Sequence, residues 1–249
     1  MDQTPFLFAI PLRSRAASRD WRRVCSLLSR TLASILGQSD HSFRIAVGCH
    51  ELPELTIPPD PRVAFLQTSM AIPTNLYEQM DDKRRKRRLA LAYLRALGGG
   101  YVMPVDADDL VSRRLVHYVR VKPPQFGYIV NKGYELDDRT GLVKYAPRFN
   151  HFCGSSAIFR FSVEDLPSSE EDGREYVADM FQNHTQWKDV GEKLERPLQD
   201  LPIRGAMYVT NNGENHSVLS NNVGWRRTIL RRLTPARKPS LGLVTEFGL

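Results

Sequence analysis

Three aspartates, Asp106, Asp108 and Asp109, lie within a stretch of four residues. They directly follow the apolar run YVMPV of residues 101–105, which is typical of a buried strand. Carboxylates this close repel one another unless a cation compensates them, and oxygen ligands suit Mg²⁺ or Mn²⁺. Because ligands of open α/β sheets bind at the carboxyl ends of strands, the pattern predicts a divalent-cation site that also holds a substrate phosphate. The alternative is a solvated turn whose side chains cap the backbone.

A basic run, KRRKRR at residues 83–88, lies in a predicted helix over residues 77–97. On a helix, Lys83, Lys86 and Arg87 share one face through their i, i+3 and i, i+4 spacing. The run has two interpretations, a solvated charged face or a set of phosphate ligands. Nucleic acid is the competing anion, but the run has no interleaved aromatic residues and fits no binding module, so nucleic acid is not the expected partner.

Composition sets the limits for these sites. The 249 residues are 41% hydrophobic and 25% charged with a mean hydropathy of −0.39, which indicates a globular chain with one sizeable core. A formal charge of +7 favours anionic partners. Three widely spaced cysteines without a CxxC pattern argue against a disulfide framework and a zinc knuckle. The N-terminal apolar run is too short for a signal sequence, and no stretch is long enough to span a membrane, so a cytoplasmic protein is predicted.

The positioning elements follow from the spacing of apolar residues. Apolar runs predict strands at residues 6–12, 43–48, 63–66, 101–105, 126–130, 153–161 and 206–210, and helical spacing predicts helices at 20–36, 77–97 and 175–190. Residues 132–144 have the turn residues of a hairpin. Strands that alternate with helices in the first half predict a parallel sheet with helical crossovers.

The order of these segments resembles a known family. FLFAIPLR, the helix DWRRVCSLLSRTLASILGQSDHSF, the strand RIAVG, a lysine- and arginine-rich helix and GGGYVMPVDADDLVS are similar to the N-terminal half of the family 2 glycosyltransferases. The resemblance covers about residues 6–115, and only CGSSAIFR and His216 have counterparts beyond them. It implies an α/β fold of the GT-A type, a Rossmann-like nucleotide-binding domain whose mixed central sheet is flanked by helices.

The resemblance also implies a function: metal-dependent, inverting transfer of a sugar from a nucleotide diphosphate sugar, uridine-linked by preference, to a hydroxyl acceptor. The implied donor-site and metal-site residues are Pro11, Leu12 and Arg13 beside the nucleoside, Glu51 reading the base, Lys83 and Arg87 at the diphosphate, Asp106 at the ribose or the metal, and Asp108, Asp109 and His216 at the metal. The turn Leu12-Arg13-Ser14 departs from the small polar turn of the family.

An inverting transfer needs a general base that removes the proton of the acceptor hydroxyl. Many carboxylates lie between residues 164 and 179, and Asp179 is the first choice because its apolar neighbours would raise its pKa. It also falls where the family carries its base. His184 is the second choice and Glu175 the third.

These inferences combine into one expected organisation. A single catalytic domain spans residues 1–224, with a nucleotide-sugar half at 1–115 and an acceptor half at 116–224, and a basic tail follows at 225–249. The expected acceptor is a carbohydrate or lipid-linked. The tail would contact an acidic inner-membrane face, where a lipid-linked acceptor is found, or it would lie in solvent or contact a partner. The alternatives are a retaining glycosyltransferase or a nucleotidyltransferase with the same metal motif, or a nucleic-acid-binding module that uses the basic helix.

Overall fold

The structure, a computed structural model, describes residues 3–215 and 235–249 of the chain. Its larger sheet contains β1 Phe6–Pro11, β2 Arg44–Cys49, β3 Val63–Gln67, β4 Gly100–Pro104, β6 Gly127–Ile129, β9 Ala157–Phe161 and β10 Gln199–Asp200. The smaller sheet contains β5 Leu110–Val111, β7 Lys132–Asp137, β8 Leu142–Pro147 and β11 Ala206–Thr210. The helices are α1 Trp21–Leu36, α2 Leu76–Ala96, α3 Leu115–Val121, α4 Trp187–Lys193 and α5 Leu241–Phe247.

The larger sheet is mixed and has the order β10-β6-β9-β4-β1-β2-β3. Strands β3, β2, β1 and β4 are parallel, whereas β9 runs antiparallel to both β4 and β6. Because β2 and β4 flank β1 in parallel, the carboxyl ends of these three strands meet at one edge of the sheet. The α/β class with a mixed central sheet, predicted from the sequence, is confirmed.

Strand β1 divides the core between the two helices that cover the sheet. Successive side chains of a strand point to opposite faces. Phe6, Phe8 and Ile10 pack on the face covered by α1, whereas Leu7 and Ala9 pack on the face covered by α2. Every residue of β1 is buried, as expected for a central parallel strand.

The ends of α1 and α2 follow the predicted signals. Asp20 caps α1 by accepting a hydrogen bond from the Arg23 backbone N–H, and Gly37 follows its last turn. After α2, Gly99 and Gly100 have φ values of 80° and 139°, and a Cβ on Gly100 would lie 2.3 Å from the Pro5 carbonyl oxygen. Glycine is therefore required where the chain turns from α2 into β4.

The second half contains two errors of prediction. The helix expected over residues 175–190 is a 3₁₀ turn at Val177–Met180 followed by the separate α4. Asp179 bonds the Tyr176 backbone N–H and Asn183 bonds that of Thr185, so side chains replace helical hydrogen bonds here. The strand expected from residue 153 begins at Ala157, because residues 153–156 form a turn in which Ser156 Oγ donates to the Cys153 carbonyl.

The described end of the predicted tail is folded. Helix α5 packs on the smaller sheet, where Phe247 is buried among Leu136 and Met207. Arg237 pairs with Val143 through two backbone hydrogen bonds. The basic residues of the tail before residue 235 lie outside the described residues. Among the residues that the structure describes, no helix is long and apolar enough to cross a membrane.

Candidate active site

A cleft of about 910 Å³, counting its solvent-filled mouth, opens at the carboxyl ends of β1 and β4. Its walls come from the segments after these strands, from α2 and from the loop of residues 211–215, while Val24 and Leu27 of α1 form an apolar side. Pockets that bind small molecules commonly combine apolar walls with a few polar groups. The lining of the cleft therefore has the chemistry of a ligand-binding site.

Asp106 lies at the β4 end of the cleft and is paired with two cations of α2. Its Oδ1 lies 2.7 Å from Lys83 Nζ and 3.5 Å from an Arg87 terminal nitrogen. Burial opposes ionisation, but Lys83 and Arg87 outweigh it and lower the pKa of Asp106 to about 2. Gly154 lies against the same carboxylate, since a Cβ there would be 2.9 Å from Asp106 Oδ2. Lys83 and Arg87, which the sequence predicted on one helix face, thus meet Asp106.

Asp108 lines the cleft with a different set of partners. Its Oδ2 accepts hydrogen bonds from the side-chain amides of Asn212 at 2.7 Å and Asn215 at 3.1 Å. Burial and the negative charge of Asp106 raise the pKa of Asp108 to about 6, against the opposing Asn212 hydrogen bond. The ionised form of Asp108 is therefore destabilised, and a cation bound in the cleft would stabilise it.

The structure does not bring Asp109 to the cleft. Asp109 is fully buried, and its oxygens accept hydrogen bonds from Ser155 Oγ at 2.6 Å, Cys153 Sγ at 3.2 Å and the Val209 backbone N–H at 3.1 Å. Burial, with the charges of Asp108 and Asp106, raises the pKa of Asp109 well above its usual range. These contacts tie the turn before β9 and strand β11 to the segment after β4, which is a structural role. The role of Asp109 as a metal ligand stays a prediction.

Glu214 joins the late loop to the segment after β1. Its carboxylate accepts hydrogen bonds from Arg13 at 2.8 Å and from the backbone N–H groups of Arg19 at 3.3 Å and Asp20 at 2.8 Å. Pro11, Leu12 and Arg13 line the cleft, and their role beside a donor nucleoside stays a prediction. Glu214 holds the Arg13 side chain through its hydrogen bond.

A buried chain of polar groups lies beneath the cleft at its other end. Lys86 is 1% exposed, and its Nζ donates to the Leu12 carbonyl oxygen and to Asp82 Oδ2, both at 2.7 Å. Asp82 Oδ1 lies 2.8 Å from His50 Nε2. A Cβ on Gly48 would lie 2.9 Å from Lys86 Cβ, so glycine in β2 permits α2 to approach this closely. Burial lowers the pKa of Lys86 against the opposing effect of Asp82.

Glu51, expected to read a nucleotide base, does not line the cleft. Its Oε2 instead accepts a hydrogen bond from the Arg15 backbone N–H at 3.2 Å. Asp82, from α2, is the carboxylate that faces the cleft in this region. The i, i+4 spacing of Asp82 and Lys86 was the sequence signal for this pair, but their burial depends on the packing of α2 against the sheet.

The three candidate bases occupy different surroundings. Asp179 lies 3.5 Å from Arg88 in a groove apart from the cleft, where burial raises its pKa, and Glu175 is exposed to solvent. His184 Nδ1 lies 2.9 Å from the Asn150 carbonyl oxygen, and the charges of Asp106, Lys83 and Arg87 act on its ring. Burial is the main reason that the pKa of His184 is lowered.

The described part of the chain does not contain a complete set of side chains that could ligate a metal ion. Within residues 3–215 and 235–249, no group of three or more histidine, cysteine, aspartate and glutamate side chains is arranged to hold a metal ion. His216, the fourth predicted ligand, lies outside these residues. The carboxylate of Asp108 fits a hard cation, because it faces the cleft, where burial and the negative charge of Asp106 raise its pKa and disfavour its ionised form.

Comparisons with known proteins do not establish a family. No protein-family model matches the chain, and no curated protein matches it in sequence. It is similar to a solved structure described as a "putative nucleotide-diphospho-sugar transferase" from Desulfovibrio desulfuricans G20, with a TM-score of 0.35 and 12% identity over 93% of this chain and 95% of that one. Similarity at this level does not identify the function.

The charges of α2 bear on the choice between a phosphate site and a nucleic-acid surface. All six residues from Lys83 to Arg88 lie within 3.5 Å of a carboxylate of this chain. A nucleic-acid-binding face requires cations free to neutralise phosphates along an open surface. The basic run is therefore divided between the cleft, the core and internal ion pairs.

Proposed function

We propose that the chain is a metal-dependent glycosyltransferase of the GT-A type, which transfers a sugar from a nucleotide diphosphate sugar to a hydroxyl acceptor. The observation that carries this proposal is the pairing of opposite charges at the β4 end of the cleft. There Asp108, with a pKa raised to about 6, lies beside Asp106 and its partners Lys83 and Arg87. An acidic group that favours a cation, next to two cations, suits a metal-bound diphosphate.

Asp108 would hold the metal, with Asp106 beside it. Mg²⁺ is commonly bound through one or two carboxylates together with substrate phosphates, so a complete cage of protein ligands is not needed. Mn²⁺ or Mg²⁺ would neutralise the charge that develops on the departing diphosphate. Asn212 and Asn215 hold one oxygen of Asp108 and so fix the direction of its carboxylate.

Lys83 and Arg87 would bind the diphosphate oxygens. Both already hold their charges toward Asp106, and burial raises the strength of their electrostatic interactions. A ligand phosphate in the cleft would share these donors, and Arg13, which also lines the cleft, would add a third positive charge. Lys83, Arg87 and Arg13 are already positioned in the ligand-free protein, so they would stabilise the diphosphate as it leaves the sugar.

We favour His184 as the general base for the acceptor hydroxyl. The Asn150 carbonyl can only accept, so His184 Nδ1 carries the proton and Nε2 keeps its lone pair. The lowered pKa keeps the ring neutral near pH 7, as a base requires. Asp179 is disfavoured because it caps its own 3₁₀ turn and pairs with Arg88.

Thermal denaturation with nucleoside diphosphates, in the presence and absence of Mn²⁺, tests the donor class. The expected result is a metal-dependent rise in melting temperature for the wild type, because a ligand that binds the folded state alone stabilises it. Asp108→Asn should abolish the rise, and Asp81→Asn, on the solvent side of α2, should keep it. If no nucleoside diphosphate stabilises the wild type with either Mn²⁺ or Mg²⁺, the proposal is wrong.

A further inference from the structure

The chain His50, Asp82 and Lys86 forms the second charged region of the cleft. Asp82 lines the cleft, and its side chain is 10% exposed. Each of its oxygens already has one partner, His50 Nε2 at 2.8 Å on Oδ1 and Lys86 Nζ at 2.7 Å on Oδ2. Lys86 in turn is tied to the Leu12 carbonyl oxygen at 2.7 Å. The carboxylate is thus held in one orientation from two sides.

This region and the acidic cluster lie at the same edge of the sheet, at the ends of different strands. His50 follows β2 and Asp106 follows β4, and these strands flank β1 on opposite sides. At about 4.8 Å for each strand, the ends of β2 and β4 are separated by roughly 10 Å. Val24, Leu27 and Asp82 line the same cleft as Lys83. A nucleoside attached to a diphosphate at Lys83 and Arg87 would therefore lie in a cleft whose lining includes Asp82.

The chemistry of Asp82 selects among bases. An ionised carboxylate accepts hydrogen bonds and donates none, and each oxygen has more than one lone pair. Asp82 therefore accepts an N–H from a base while keeping His50 and Lys86. Uracil and guanine present a ring N–H beside a carbonyl group, whereas cytosine and adenine present a ring nitrogen lone pair at that position. A lone pair that faces a carboxylate is repelled and forms no hydrogen bond with it, so the base nitrogen loses the hydrogen bond that it makes to water.

We propose that Asp82, oriented by Lys86 and His50, reads the donor nucleotide and selects a base that carries a ring N–H beside a carbonyl, as uracil and guanine do. The inference rests on the proposed function, since it assumes a nucleotide in the cleft. It assigns base recognition to α2 and not to Glu51 after β2. Lys86 and His50 act as positioning residues, because each of them holds one oxygen of Asp82.

Calorimetric titration with UDP, GDP, CDP and ADP in the presence of Mn²⁺ tests the assignment. For the wild type we expect UDP or GDP to bind about tenfold to a hundredfold more tightly than CDP and ADP, the range for a hydrogen bond to a charged group. Asp82→Asn should reduce this ratio to within about threefold, mainly through weaker binding of the preferred nucleotide. The UDP and GDP titrations show which of the two bases the site takes.

Two controls keep the result interpretable. Asp81→Asn makes the same chemical change on the solvent side of α2 and should leave the ratio unchanged. Because Asp82→Asn leaves Lys86 buried without its full partner, the double variant Asp82→Asn/Lys86→Met is measured as well. The ratio of dissociation constants does not depend on the fraction of folded protein.

The outcomes separate the two proposals. If the wild type binds a nucleotide but Asp82→Asn keeps its preference, or if Glu51→Gln loses the preference instead, the assignment to Asp82 is overturned while the proposed function stands. A wild type that prefers CDP or ADP also overturns it. If no nucleotide binds with either metal, the proposed function and this inference fail together.

Discussion

The carboxylates at the two ends of the cleft differ in the charged partners that surround them. At the Asp82 end, one carboxylate meets one lysine and one histidine, and the groups are nearly withdrawn from solvent. At the β4 end, Asp106 meets Lys83 and Arg87, whereas Asp108 has the amides of Asn212 and Asn215 as partners and a pKa raised to about 6. The first arrangement is complete without a ligand and suits recognition of a neutral group. In the second, Asp108 has no ion pair among the described residues, and carboxylates with a raised pKa are typical of functional sites.

The largest effect is expected at the Asp82 end of the cleft, where removal of Lys86 should lower the free energy of unfolding. Lys86→Met leaves Asp82 with its charge but without its closest cation, and removal of one partner of a buried ion pair costs about 3–5 kcal/mol. We expect urea denaturation to show a loss of this order in the free energy of unfolding. In the double variant Asp82→Asn/Lys86→Met, most of the loss should be recovered. Equal losses in both variants would show that the pair contributes through packing and not through charge.

The second prediction concerns the β4 end of the cleft, where Asp108→Asn removes a negative charge. Asp108→Asn should lower kcat/KM for sugar transfer about a hundredfold or more, the size of effect seen when a charge-stabilising group is lost from an active site. The same change should leave the metal-free protein at least as stable as the wild type, because it relieves repulsion with Asp106. Steady-state kinetics and thermal denaturation with a chelator measure the two effects. A variant that loses both activity and stability would indicate a structural role.

The third prediction uses the pH dependence of the metal-free protein. Asp108 has a pKa of about 6 in the folded state and about 4 when unfolded, so the folded state binds more protons in this interval. Stability should therefore fall as pH rises from about 4 to 6, by about 2 kcal/mol after allowance for partial exposure. The difference between wild type and Asp108→Asn, followed by denaturation at each pH, isolates the contribution. A difference that does not change with pH would contradict the raised pKa.

The smallest effect is expected on the KM for the donor, when a residue proposed to bind its phosphates is replaced. Lys83→Ala should raise the KM for the donor about tenfold, which corresponds to the loss of one charged hydrogen bond. Arg84→Ala, which removes a side chain that is 52% exposed and paired with Asp81, is the control and should change KM by less than about twofold. If the two variants behave alike, Lys83 does not contact the donor.

The sequence predicted the parallel half of the fold well. Strands β1, β2 and β4 are buried on both faces, so they stand out as apolar runs, and α1 has a capping residue at each end. The second half follows other rules, because between residues 162 and 198 side-chain hydrogen bonds to the backbone decide the local structure. A periodic pattern there, as in residues 175–190, does not report a helix.

The site was predictable where its residues are close in sequence. Lys83 and Arg87 share a helix face, and Asp106 follows a recognisable strand. The amides that orient Asp108 come from Asn212 and Asn215, more than a hundred residues later, and no local pattern links them. Asp109 looked equivalent to Asp108 in the sequence. Its burial follows from the turn after β4, which directs it at Ser155 and Val209.

The loop of residues 211–215 has a consequence for the order in which the cleft is assembled during synthesis. Glu214 contacts Arg13, and Asn212 contacts Asp108, so these contacts cannot form until residues 211–215 have left the ribosome. A nascent chain that ends before β11 has its parallel strands but no support for Asp108 and no backbone partner from Val209 for Asp109. Contacts between such distant residues form late in folding. Ligand binding at this cleft would therefore require residues 211–215 to be in place, since shorter fragments would lack the groups that shape the cleft.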